Sequence, residues 1–181
     1  MTTKISSYRN LKSITAITLA ILALCTAIYT DLNNLHKRGD NQVITPAGLV
    51  IKSAYSPTVK AGTLSAFVAD GTLVYKAANT DMPAISGTLA KNKFALWSFY
   101  IDSAGTLTAS SKTADAASAA AALLLKPAIP AAKAEIGYII VGSHANQAFT
   151  AATSPLETTA TTLYFSNVGR GDAPTALTLV P

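Results

Sequence analysis

The stretch Phe94-Ala-Leu-Trp-Ser-Phe-Tyr-Ile-Asp-Ser-Ala-Gly105 decides the reading of the fold. From Phe94 to Ile101, large apolar side chains occupy both alternating sets of positions. A strand with one wet face would alternate apolar and polar residues; this run does not. It reads as a strand covered on both faces, either central in a sheet or at a subunit interface. Trp97 is then a core or interface anchor rather than a platform for a ligand, because a ring of that size contributes most when buried. Asp102-Ser-Ala-Gly105 reads as a hairpin turn leading into a second strand at Thr106–Ala109.

Working outward, the same pattern recurs. Val43–Thr45, Leu49–Tyr55, Leu64–Ala69, Thr72–Lys76, Glu135–Val141 and Thr161–Ser166 are short, rich in β-branched or aromatic residues, and bounded by turn residues. Asp70-Gly71 separates two of them and calls for a tight hairpin with positive φ. Short strands with frequent turns predict a mainly β fold, a small antiparallel sandwich, jelly roll or barrel. One segment breaks the pattern. Thr113 to Lys126 is alanine-rich and predicts a short helix capped by Thr113, with Asp115 in its first turn and Pro127 and Pro130 ending it. The tail from Asn146 to Pro181 reads as arms and loops, with a last strand at Ala176–Val180.

The amino-terminal segment has a different period. Residues 13–30 carry no charge. Ile14, Ile17, Ile21, Leu24 and Ile28 follow a 3-4-3-4 spacing, the seam of a coiled coil, and isoleucine at these positions leans toward trimers or larger bundles. Ala16, Ala20, Ala23 and Ala27 form a second stripe that lets another backbone approach closely. The seam ends where Asp31 takes the next position. A membrane-spanning helix is the competing expectation, at marginal length. A cleaved leader is disfavoured, because Cys25-Thr26-Ala27 makes a poor cleavage site. The polar stretch Asp31–Asn41 is a linker. The expected division is therefore residues 1–41 as anchor and oligomerisation helix, and residues 42–181 as a β-rich assembly domain.

Composition narrows the function classes. Half the residues are hydrophobic and only 13% are charged, against about 25% in a typical globular chain. Such a surface suits a protein covered by copies of itself. The net charge of +5 is spread along the chain apart from Lys4, Arg9, Lys12, Lys37 and Arg38 around the apolar segment. A nucleic-acid binder would cluster it, so nucleic acid is not an expected partner. The lone cysteine, Cys25, precludes a disulfide within the chain and a zinc site built on paired cysteines. His36 and His144 lie in polar loops and carry no ligand spacing. No Gly-x-Ser-x-Gly elbow, phosphate loop or paired acids stand out. The Arg170-Gly171-Asp172 triplet reads as a turn. No enzyme activity, cofactor or metal site is expected.

Phe94-Ala-Leu-Trp-Ser-Phe-Tyr-Ile-Asp-Ser-Ala-Gly-Thr-Leu-Thr108 is similar to a pattern in small virion proteins of tailed bacteriophages, in which a strand leads into an Asp-x-x-Gly-Thr hairpin. Pro127-Ala-Ile-Pro-Ala-Ala-Lys-Ala-Glu-Ile-Gly-Tyr-Ile-Ile-Val141 resembles a segment of the same proteins, and Phe149-Thr-Ala-Ala-Thr-Ser-Pro-Leu156 resembles a loop that often follows. The resemblance spans residues 42–168. It implies a trimeric β-rich head fibre, decoration or other capsid-associated protein located in the virion, with other capsid proteins as partners and no catalytic residues to carry over. The apolar amino-terminal helix departs from many such proteins and points to contact of residues 13–30 with a lipid membrane. A membrane-anchored prokaryotic cell-surface or filament subunit is the alternative expectation, and a glycan-binding module a weaker third.

Overall fold

The structure, a computed structural model, describes residues 20–26, 41–157, 161–167 and 178–179. Two units separate, Met1–Gly39 and Asp40–Pro181. In the first, residues 20–26 form a helix, α1. Thr26 Oγ1 donates to the carbonyls of Leu22 at 3.1 Å and Ala23 at 2.8 Å, so its polar group is absorbed by the helix itself. No helix among the described residues is long and apolar enough to cross a membrane.

The second unit is mainly β. Its elements in order are β1 (Gln42–Thr45), β2 (Leu49–Ile51), β3 (Val59–Ala61), β4 (Ser65–Ala69), β5 (Thr72–Lys76), β6 (Thr88–Leu89), β7 (Phe94–Asp102), β8 (Leu107–Ala109), α2 (Ala119–Leu124), β9 (Lys133–Ser143), β10 (Phe149–Thr150), β11 (Thr161–Asn167) and β12 (Thr178–Leu179). The main sheet is five-stranded, in the order β12-β11-β9-β7-β8. A three-stranded sheet, β1-β4-β5, and two pairs, β2-β3 and β6-β10, complete the set. Every pairing is antiparallel.

β7 and β9 form the spine, and their double-sided apolarity is why. Ala95, Trp97, Phe99 and Ile101 point to one face, where they join Ile136, Ile139, Val141, Leu163 and Phe165. Val43, Phe67 and Ala69 of the three-stranded sheet close this side, with Leu49, Val59 and Leu89 from the strand pairs. Leu96, Tyr138 and Ile140 point to the other face and pack with Ala116, Ala122 and Leu123. The main sheet is thus covered by strands on one side and by α2 with its flanking chain on the other. Trp97 is wholly buried; its Nε1 donates to the Ser86 carbonyl at 2.9 Å, and its ring meets Phe149 edge-on at 6.1 Å. It is a core anchor inside one chain, not an interface residue.

Local chemistry sets the joints. Asp70 and Gly71 both take positive φ, 50° and 72°, as a two-residue hairpin matched to strand twist requires. Asp102 Oδ1 accepts from the amides of Ala104 at 3.1 Å and Thr106 at 2.8 Å, holding the β7–β8 turn. Between β7 and β9 the register passes from Phe99↔Gly137 to Tyr100↔Glu135. Ile136 is the extra residue of this bulge, which lets it and Gly137 share one side. A Cβ on Gly137 would lie 2.5 Å from the Ser166 carbonyl oxygen and 2.9 Å from Leu49 Cδ1. That position is glycine because β2 and β11 press against it.

The structure corrects several boundaries. The helix is shorter than its alanine content suggests: Ser118, not Thr113, is the N-cap, its Oγ accepting from the Ala121 amide at 3.1 Å. Thr113 instead extends the sheet. Its amide donates to the Leu96 carbonyl, and its Oγ1 accepts from the Leu96 amide at 2.9 Å. Two tertiary hydrogen bonds outweigh the local capping preference. Asp115 lies outside the helix and accepts from the Ala90 amide at 3.1 Å. The strand expected over Leu49–Tyr55 stops at Ile51, because the chain turns at Tyr55 with φ 59°. The short strands β3, β6 and β10 have no clear sequence signature at two or three residues each.

Candidate assembly surfaces and a buried polar cluster

Two exposed apolar surfaces sit on opposite sides of the β body. The first is the outward face of the β1-β4-β5 sheet. Strand alternation sends Val43, Phe67, Ala69 and Val74 inward and leaves Gln42, Thr45, Ala66, Val68, Leu73 and Tyr75 outward, with Ile44 the extra residue of a bulge in β1. Ile44 is 42% exposed, Leu73 48% and Tyr75 62%. The centre of this face, on β4, carries the smaller Ala66 and Val68, while larger side chains stand on both flanking strands. Ala66 is itself only 8% exposed, so the flanking side chains close over the centre of this uncharged face.

The second surface is the strap Ala119–Ala132, which comprises α2 and the chain leading back to β9. Leu124 is 88% exposed, and Leu125 and Ile129 about half. The strap contains a single charge, Lys126. Lys126 turns inward: its Nζ lies 2.5 Å from Glu135 Oε2 and 5.3 Å from the centre of the Tyr138 ring. The outer side of the strap is therefore an uncharged ridge.

Beneath the strap lies a buried polar cluster. Ser98 pairs across with Tyr138, and Tyr100 with Glu135, on the same face of the main sheet. The Ser98 and Tyr138 hydroxyls, the Tyr100 hydroxyl and Glu135 Oε1 are all buried without a hydrogen-bond partner. Burial raises the Tyr100 phenol above its ordinary value, and the negative charge of Glu135 adds to that shift. Lys126 supplies the one charge partner for Glu135 among the described residues. A cluster with this many unpaired atoms is costly to keep dry, and the ion pair adds to the apolar packing of Ala122 and Leu123 in holding the strap over it.

At a more exposed site, Lys112 pairs with Asp115, and that contact holds the Asp115 carboxyl below its ordinary value. A groove of about 500 Å³ opens between β2 and β11, mostly apolar, with Glu157 on its wall. No group of three or more potential metal ligands gathers among the described residues.

Of the residues singled out by sequence, Ala20, Ile21, Ala23 and Leu24 lie on α1 and are exposed within the single chain. Ile14, Ala16, Ile17, Ala27 and Ile28 lie outside the described residues, as do Arg170, Gly171 and Asp172. Trp97 is placed in the core. His144 caps a turn: its carbonyl accepts from the amides of Asn92 and Gln147. Sequence reading missed both apolar surfaces and the polar cluster. Two signals were present: three consecutive leucines, Leu123–Leu125, cannot all face inward on one helix, and Leu73 and Tyr75 share the parity opposite Val74.

A comparison with family models, with curated proteins and with solved structures finds no match to this chain.

Proposed function

We propose that this chain is a structural building block that works by self-assembly: a virion protein, trimeric through the Ile14–Ile28 seam, that attaches to or decorates a bacteriophage capsid through its amino-terminal helix. In this reading residues 42–181 are a small sandwich-like or jelly-roll-like assembly domain, and the protein performs no catalysis and needs no cofactor. Other capsid proteins, and a lipid surface against residues 13–30, are its further partners.

The observation that supports this most is the pair of uncharged apolar surfaces on a body whose own core is already complete. Leu124, Leu125, Leu73 and Tyr75 are left over after the main sheet is covered on both faces. Exposed apolar area of this kind on a soluble face marks association. The charged fraction of 13% supports the same conclusion.

A second reading, a membrane-anchored prokaryotic surface or filament subunit, gains support from the placement of the two surfaces on opposite sides, which suits end-to-end growth. Mass measurement of the intact chain with and without detergent separates the two. A trimer that persists without detergent favours the virion reading. Solubility that depends on detergent favours the membrane reading. A monomer in both conditions removes both. Imaging of intact particles with a labelled chain then locates the copies.

A further inference from the structure

We propose that the strap Ala119–Ala132 is a hinged cover that lifts off the main sheet as a unit while the rest of the β body stays folded. The proposal concerns one chain by itself and does not rest on the self-assembly reading.

The strap is lightly held. Ala122 is its only buried residue, and Ala119, Ala121 and Leu123 are half-buried against the same sheet face. Its backbone hydrogen bonds run within Ser118–Lys126: the amides of Ala122, Leu125 and Lys126 donate to the carbonyls of Ser118, Ala122 and Leu123 at 2.9, 3.1 and 3.1 Å. Among the described residues, no backbone hydrogen bond ties the strap to the sheet. The remaining tie is the Lys126–Glu135 pair, with the ammonium over the Tyr138 ring. A segment that makes its own hydrogen bonds can leave without breaking those of the sheet.

The chain is fixed on either side of the strap, and the points between can turn. Before it, Ala116 and Phe94 exchange both backbone hydrogen bonds, at 2.8 and 2.9 Å. After it, Lys133 pairs with Asp102 at the start of β9. Ala117 and Ser118, at the entry, are exposed. Ala132, at the exit, has a φ of 57° without being glycine, a left-handed conformation that an L side chain holds at a cost. Turning at this hinge relieves that strain.

Opening also restores hydration. The Ser98, Tyr100 and Tyr138 hydroxyls and Glu135 Oε1 are buried without a partner under the closed strap. Water reaching them removes a desolvation penalty that the closed state carries. Leu124, Leu125 and Ile129 are exposed already, so lifting them uncovers little new apolar surface. The cost of opening falls on Leu96, Tyr138 and Ile140, the small core on this side of the sheet. The larger core, around Trp97, Phe99 and Phe149 on the other face, contains no strap residue. Only the smaller core has to part.

The test uses the full chain with Cys25→Ser, carrying one thiol on β7: Ser98→Cys beneath the strap, or Ala95→Cys, which faces the larger core from the same strand. Each protein is reacted with a chromogenic disulfide reagent at low protein concentration, over a series of urea concentrations below the unfolding transition. The Ser98→Cys thiol should react on the order of a thousandfold faster than the Ala95→Cys thiol, because local opening lies well below global unfolding. Its rate should stay nearly flat in urea, since opening exposes little surface, while the Ala95→Cys rate climbs steeply. Equal rates with the same urea dependence mean that the strap leaves only on global unfolding, and overturn the proposal. A Ser98→Cys thiol as reactive as a free thiol means that the strap covers nothing, and overturns it as well. Amide hydrogen exchange on the unsubstituted chain asks the same question without a variant. The amides of Ala122, Leu125 and Lys126 should exchange by a route insensitive to urea, and those of β7 and β9 by a sensitive one. Strap amides that share the urea dependence of β7 and β9 overturn the proposal.

Discussion

Replacing Lys126 by Met should loosen the strap and cost about 3 kcal/mol of stability. The figure follows from the burial of its partner. The Glu135 side chain is 3% exposed, and its Oε2 takes the Lys126 ammonium at 2.5 Å while Oε1 has no partner. Deleting the ammonium leaves a buried carboxylate with neither oxygen paired, beside two unpaired phenols and an unpaired serine. Losing one partner of a buried pair costs about 3–5 kcal/mol. The low end applies because the Lys126 side chain is 22% exposed, so some water already reaches its side of the pair. The assay is urea unfolding followed by tryptophan fluorescence at fixed protein concentration. Trp97 is the sole tryptophan and lies at the centre of the β body, so the signal reports that unit alone. The double variant Lys126→Met/Glu135→Gln removes the charge as well and should recover to within about 1 kcal/mol of the parent, because a neutral pair needs no counter-ion. A single variant within about 0.5 kcal/mol of the parent would show that the pair behaves like a surface salt bridge, and the fastening argument would fail. So would a double variant no better than the single.

Tyr138→Phe removes a buried hydroxyl that has no partner and should be neutral or stabilising by up to about 1 kcal/mol; a cost above that in the same unfolding assay would mean the hydroxyl is paired after all. Trp97→Ala should cost about 4 kcal/mol through cavity formation and loss of the bond to the Ser86 carbonyl, which calorimetry at fixed concentration can check; a cost under about 1 kcal/mol would remove Trp97 from the core. Lys112 holds the folded-state pKa of Asp115 below its ordinary value, so its contribution is present above the unfolded value of about 3.9 and fades as pH falls through the folded value. Melting temperatures of the parent and Asp115→Asn should therefore differ slightly at pH 7 and converge well below pH 4; a gap that stays constant across that range would contradict the assignment.

How much of this was legible beforehand depends on the range of the interactions involved. The spine was legible because Phe94–Ile101 is apolar at both parities, and only a strand covered on two faces has use for that. The Asp70-Gly71 turn was legible because its chemistry is local. The helix start was misread because Thr113 has two possible roles, and the choice between them is made by Leu96, a residue 17 positions away in sequence. β6 and β10 were illegible for the same reason: two residues each, they exist only because Leu89 and Phe149 pair beside Trp97. The polar cluster depends on the bulge at Ile136, which sets Glu135 opposite Tyr100. A bulge of this kind leaves little trace in residue pattern. The assembly surfaces are defined by what the core leaves uncovered, so they could be recognised only once the core was assigned.

The most direct test of self-assembly is the mass of the purified full chain in solution, measured by light scattering on size-exclusion chromatography over a hundredfold range of concentration, where about 2.7 kcal/mol separates the ends of the range in a binding equilibrium. The account predicts a species that is a multiple of the 18.6 kDa chain and persists on dilution. A single 18.6 kDa species at every concentration would contradict it.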